Sequence, residues 1–299
     1  MDRIILGDNQ FFGINHMSEE KAQALSEKFY DLKAIINVID AAYDCGIRAF
    51  MLNTNERAKD ICSYLRKNSA RYADLRLYPS IPYPHKYADL VNEKGIFNAV
   101  KDIIISENSA KDIFGLLVKG SFTLFDRDSI KVMQLLIDTE MKIFHGLNIK
   151  VVFLQNVITD LLLGLGVKEI FIGYVNYIRE KYSAEPGFIT MNLPKLCNFL
   201  LDCGIENPII CSSINKIGYF MNPDISSYEK TIREKQFRPV AMSIFASGAI
   251  KPSEAVEYIH NLSNIKTIVF GASSGQHIKE TKKLIESYLP VEDKKFQHV

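Results

Sequence analysis

No two of the five cysteines (Cys45, Cys62, Cys197, Cys203 and Cys211) form a C-x-x-C pair or stand at a metal-site spacing from a histidine. Their number is odd, so they read as reduced, buried, small apolar residues, which suits a reducing cytoplasm. Charge of one sign is also missing. Lys and Arg number 36 against 35 Asp and Glu, a formal charge of +1, so no global field would gather nucleic acid or an anionic membrane, and neither is expected as a partner. No apolar run reaches the roughly 20 residues that span a bilayer. The opening MDRIILGDNQ has no apolar core with a cleavage site, so the expected location is cytoplasmic. Tryptophan is absent, and the 18 Phe and 14 Tyr are spread among apolar stripes as core residues. Gly and Pro fall at element ends and never gather into a linker, so residues 1–299 are expected to form a single domain.

What the chain does have is a recurring phrase. Eight short β-rich runs lie near residues 4–7, 48–52, 75–81, 150–154, 187–191, 208–214, 239–245 and 266–271, most of them followed by a helical pattern. In LKAIINVIDAAYDCG the residues Ile35, Ile36, Ile39 and Ala42 make an apolar stripe, and Gly46 sits where the helix should stop. LCNFLLDCGIENPIICSSI repeats the device with Gly204 and Pro208. Eight βα units with 47% hydrophobic content predict a single (β/α)8 TIM barrel. A helical insertion of about residues 95–147 is expected between strands 3 and 4. Within it FGLLV, residues 114–118, fits either a strand or a buried helical turn.

In this fold the residues after each strand share one rim, and that rim carries function. The candidates are Asp8 and Asn9 after the first strand, Asn53, Asn55, Glu56 and Arg57 after the second, and Tyr83 and His85 after the third. Gln155 and Asn156 follow the fourth, Asn192 the fifth, and Ser213 and Asn215 the sixth. Such amides either satisfy their own loops or wait for a ligand, since a buried amide left unpaired costs on the order of 1–3 kcal/mol. His85 and Glu56 are the candidate proton-transfer pair, with Asp8 as a second carboxylate. Arg57 is a candidate clamp for an oxyanion, or alternatively a solvated residue that opens a helix. No metal is expected.

LGDNQFFGINH followed by IINVIDAAYDCGIRAFMLNT resembles the opening of aldo-keto reductases. FITMNLPKLCNFLLDCGIENPIICSSIN is similar to their fifth strand, helix and sixth strand, and PVAMSIFASGAIKPSEAVEYI and KTIVFGASSGQHIKETKKLI to their seventh and eighth βα units. The likeness covers nearly the whole chain apart from the insertion. It implies carbonyl reduction with NADP(H), by a tyrosine donor tuned by lysine, aspartate and histidine. That tetrad is absent here. Met51, Leu52 and Asn53 stand near the aspartate position, Asn55 and Glu56 near the tyrosine, and Gln155 near the histidine, while SIPYPHKYA has no lysine at the end of the third strand, Lys86 lying a few residues beyond. Amides cannot deliver a proton to an alkoxide.

By the same resemblance Ser247 and Gly248 would lie beside a pyrophosphate. Gly271, Ser273, Ser274, His277 and Glu280 would lie by the nucleotide phosphates and the adenine. Ser273 and Ser274 also suit simple helix capping. The main expectation is therefore an enzyme of aldo-keto-reductase fold that acts on a small polar, anionic or phosphorylated metabolite by non-standard acid–base chemistry. Its rivals are an NADPH-dependent reductase in which Tyr83 and Lys86 replace the tetrad, and a barrel that only binds a ligand or partner.

Overall fold

A computed structural model describes residues 1–14, 18–83 and 127–288. His16, His85, Lys86 and residues 114–118 lie outside the described residues, as does most of the expected insertion. Eight parallel strands close into a barrel in sequence order. They are β1 (Ile4–Gly7), β2 (Ala49–Asn53), β3 (Arg76–Ile81), β4 (Val151–Leu154), β5 (Glu185–Thr190), β6 (Ile209–Ser213), β7 (Arg238–Met242) and β8 (Thr267–Gly271).

The described helices are α1 (Glu19–Lys28), α2 (Leu32–Asp44), α3 (Ala58–Lys67), α4 (Arg127–Met141), α5 (Asn156–Leu165), α6 (Lys168–Tyr182), α7 (Leu193–Asp202), α8 (Ile225–Glu234), α9 (Pro252–Asn261) and α10 (Gly275–Ser287). Helix α4 falls in the stretch expected as an insertion. Helix α2 forms as its stripe dictates: Asp31 caps it by accepting from the Lys33 N–H at 2.9 Å, and Ile35, Ile36, Val38, Ile39 and Ala42 are buried. Each buried isoleucine stabilises by roughly 1.5–3 kcal/mol. Gly46, at φ 86°, turns the chain into β2. Two strand ends differ from expectation. β5 starts at Glu185, whose N–H bonds the Lys150 carbonyl, so Pro186 lies inside the strand. β7 stops at Met242 because Ser243 adopts φ 53°, a left-handed conformation that breaks the ladder.

The pairing register fixes what fills the barrel. Around the ring the partners run Met51↔Tyr78, Val151↔Glu185 and Ile209↔Arg238, and the ring closes at Gly7↔Gly271. Alternation along each strand turns every second residue inward, and alternate strands supply each layer. One layer is Ile5, Tyr78, Gly187 and Val240, and the next is Met51, Phe153, Cys211 and Val269. All but Gly187 belong to a single buried apolar cluster. Gly187 is required there: a Cβ on it would lie 2.6 Å from the Phe153 ring.

Above these layers come Gly7, Ser80, Ile189 and Met242, then Asn53, Gln155, Ser213 and Gly271 at the carboxyl ends. Ion pairs sit at the opposite end. Arg76 bonds both oxygens of Asp2, whose Oδ2 also accepts from the Tyr78 hydroxyl at 2.6 Å, and Arg238 pairs with Glu185. Among the described residues no helix is long and apolar enough to cross a membrane.

Candidate active site

Asp8 is the first residue after β1 and is 5% exposed. Its Oδ2 accepts from the Asn53 backbone N–H at 2.7 Å, which ties the carboxyl ends of β1 and β2 together. Burial raises its carboxyl pKa and outweighs this hydrogen bond, moving the value from 3.8 to about 7. Tyr83, beyond the end of β3, is held above its ordinary value by burial and then by the charge of Asp8. The two groups therefore share one electrostatic environment, although they stand far apart in sequence.

The remaining amides divide by what they already bond. Asn53 Oδ1 accepts from the Asn55 N–H at 3.1 Å. Asn55 Oδ1 accepts from the N–H groups of Arg57 and Ala58 and so starts α3, whereas its Nδ2 is buried without a partner. Asn192 caps α7 by accepting from the Lys195 N–H at 3.2 Å. Asn215 is closed on its own loop, with Nδ2 donating to the Tyr219 carbonyl at 2.9 Å and Oδ1 accepting from the Tyr219 N–H at 2.8 Å. Gln155 and Asn156 are half-buried where β4 enters α5, and Gln155 makes no side-chain cap. Asn9 and Glu56 are exposed.

Arg57 does not extend as an open clamp. Its guanidinium donates to the carbonyls of Phe29 and Tyr30 and so holds the α1–α2 connection. Two buried hydroxyls without a partner, Ser80 Oγ and Ser213 Oγ, belong to the layers at the strand carboxyl ends. Gln10 Oε1 is buried and unpartnered too, while its Nε2 donates to the Gly271 carbonyl at 3.2 Å. Ser80 escapes sequence reasoning, although alternation from Tyr78 would have turned it inward.

The residues expected near a nucleotide lie after the neighbouring strands β7 and β8. Ala246, Ser247 and Gly248 are consecutively left-handed, at φ 45°, 55° and 93°. For the non-glycine residues Ala246 and Ser247 such backbone costs roughly 1–3 kcal/mol each, and strain of this kind clusters at functional sites. Ser274 caps α10 by accepting from the His277 N–H at 3.3 Å, and Ser273 precedes it, half-buried. His277 and Glu280 are exposed, and Glu280 accepts from Gln276 at 2.6 Å. The Gln10 side chain packs 3.3 Å from where a Cβ on Gly271 would lie.

Solved structures show the same arrangement of strands and helices. A Pseudomonas aeruginosa protein assigned as an aldo-keto reductase superposes with TM-score 0.61 at 10% identity, over 97% of this chain and 91% of that one. An aldo/keto reductase from Brucella melitensis gives TM-score 0.52 at 12% identity, over 99% and 94%. The fold is that of the aldo-keto reductases. No family model and no curated protein matches the sequence. At these identities the aldo-keto-reductase fold carries the architecture and leaves the chemistry to the residues described above.

Proposed function

We propose that the chain is an enzyme of aldo-keto-reductase fold that performs general acid–base chemistry on a small polar molecule bound at the strand carboxyl ends. The observation that carries this is Asp8: a buried carboxyl titrating near 7 can both take and give a proton at neutral pH. Tyr83 stays protonated there and is the neutral donor beside it. The Asn53 N–H orients the Asp8 carboxyl, and Gln155 offers an amide at the end of β4. The test is proton exchange. The protein would be incubated in D2O with hydroxy-ketones and hydroxy-aldehydes, and deuterium uptake next to the carbonyl followed by NMR. Exchange by wild type that Asp8→Asn abolishes supports the reading; exchange equal in both removes Asp8 from it.

A second reading, an NADPH-dependent reductase, is favoured by the left-handed run at 246–248 and the α10 N-terminus. Backbone N–H groups at such places suit phosphate. NADP(H) would supply hydride, and its phosphates would meet the Ser247–Gly248 backbone and the first turn of α10. Fluorescence titration with NADPH decides it, because a reductase must bind the nucleotide.

A further inference from the structure

The helices around a barrel turn one side to water, and nine of the ten described helices carry at least one charged residue at an exposed position. Helix α5 carries none. Its exposed positions are Val157, Leu161, Gly164 and Leu165. Asp160, the one charged residue of NVITDLLLGL, faces inward, where its carboxylate accepts from the Thr190 hydroxyl and from the Met191 N–H at 2.9 Å. Val157, Leu161 and Leu165 are 51%, 45% and 54% exposed. Four residues apart, they form one ridge along the helix.

With the half-buried Ile158 and Leu162 beside it, this ridge leaves on the order of 300 Å² of apolar surface in water, a patch of the size that often serves contact with another molecule. Its symmetry names the occupant. Leu161 stands midway between Val157 and Leu165, so a two-fold axis beside it lays the ridge antiparallel on a second copy of itself. Leu161 then meets the partner's Leu161, and Val157 meets the partner's Leu165. Gly164 leaves room for the approach, since a Cβ there would meet nothing within 4 Å. No charge on the helix face loses its hydration, and a charged partner would find nothing there to bond. Two ridges give roughly 600 Å² of apolar core, which with the usual polar rim comes to about 1,000 Å², enough for a specific interface. We propose that the protein forms a two-fold homodimer through α5, with Leu161 at the axis. This face lies outside the barrel and takes no part in the acid–base chemistry.

The test uses the intact chain. Gel filtration with light scattering at about 100 µM should give wild type twice the mass of one chain, and Leu161→Glu should weaken the dimer about hundredfold or more, because two carboxylates then meet at the axis. Circular dichroism of that variant should match wild type, since position 161 is exposed in the single chain. Mixing Leu161→Glu with Leu161→Lys should restore the dimer. Mild oxidation reads the pairing directly: Leu161→Cys should cross-link to itself, whereas Val157→Cys should cross-link only when mixed with Leu165→Cys. Wild type, whose Cys45 and Cys203 are partly exposed, is the control. A wild type of single-chain mass would overturn the proposal and leave the ridge to a different protein or to residues 84–126 of the same chain. So would a Leu161→Glu variant that stays dimeric, or Val157→Cys linking to itself. Should Leu161→Glu fail to fold, the cysteine variants decide.

Discussion

The backbone N–H of Asn53 donates to the carboxylate of Asp8 at 2.7 Å, across 45 positions of sequence. This bond joins the ends of two neighbouring strands and gives a carboxyl in an otherwise dry place a fixed orientation. It is too weak to hold the group ionised against burial, and so Asp8 titrates near 7.

That displacement has a sign that unfolding can read. The folded value lies above the unfolded one, so stability is greatest below about pH 4 as far as Asp8 is concerned. It then falls as pH rises toward 7 and levels off above. Moving a carboxyl from 3.8 to about 7 corresponds to roughly 4 kcal/mol. Urea unfolding of wild type and Asp8→Asn at pH 5 and pH 8 should show the variant gaining on wild type at the higher pH. A constant difference between the two would contradict the assignment.

Asp2, at the other end of the barrel, should behave oppositely. Burial would raise its carboxyl, but hydrogen bonds from Arg76 and Tyr78 and the Arg76 charge bring it below its ordinary value. Its stabilising contribution is present above about pH 4 and lost on acidification. Asp2→Asn should cost about 1–2 kcal/mol at pH 7, with the gap to wild type narrowing as acid titrates the native carboxylate.

Gly187→Ala should be destabilising by about 1–3 kcal/mol, because the new methyl meets the Phe153 ring. A partner change tests the cause. Phe153→Leu frees space, so the double variant should be more stable than the sum of the two single losses implies, as measured by urea midpoints.

Arg57→Gln should lower stability by about 1–3 kcal/mol, since it releases the Phe29 and Tyr30 carbonyls. Phe29 is fully buried and meets Phe11 edge-on at 5.2 Å, so near-ultraviolet circular dichroism should change with it. A variant as stable as wild type would return Arg57 to the list of free cations.

The barrel was legible in the sequence because each strand is a short β-rich run, and helices such as α2 and α7 are apolar stripes ended by Gly46 and Gly204. Strand ends were less so. The fifth run was expected near residues 187–191, yet β5 begins at Glu185 with Pro186 inside it, and nothing in the letters foretells that Ser243 is left-handed. The rim was legible as a set of polar residues, and the sorting of that set was not. Asn55, Asn192 and Asn215 are the residue types that both cap loops and bind ligands, and only the hydrogen bonds tell which they do. Ser80 was missed because a single serine inside an apolar strand has no local signature; its direction follows from the register with Asn53.

The stacked layers from Ile5 up to Met242 leave the interior filled with side chains, with Arg76, Asp2, Arg238 and Glu185 across the far end. Whatever enters at the carboxyl ends therefore has no route through the molecule and must depart by the same opening. On the acid–base reading proposed above, reactant and product would share that single doorway.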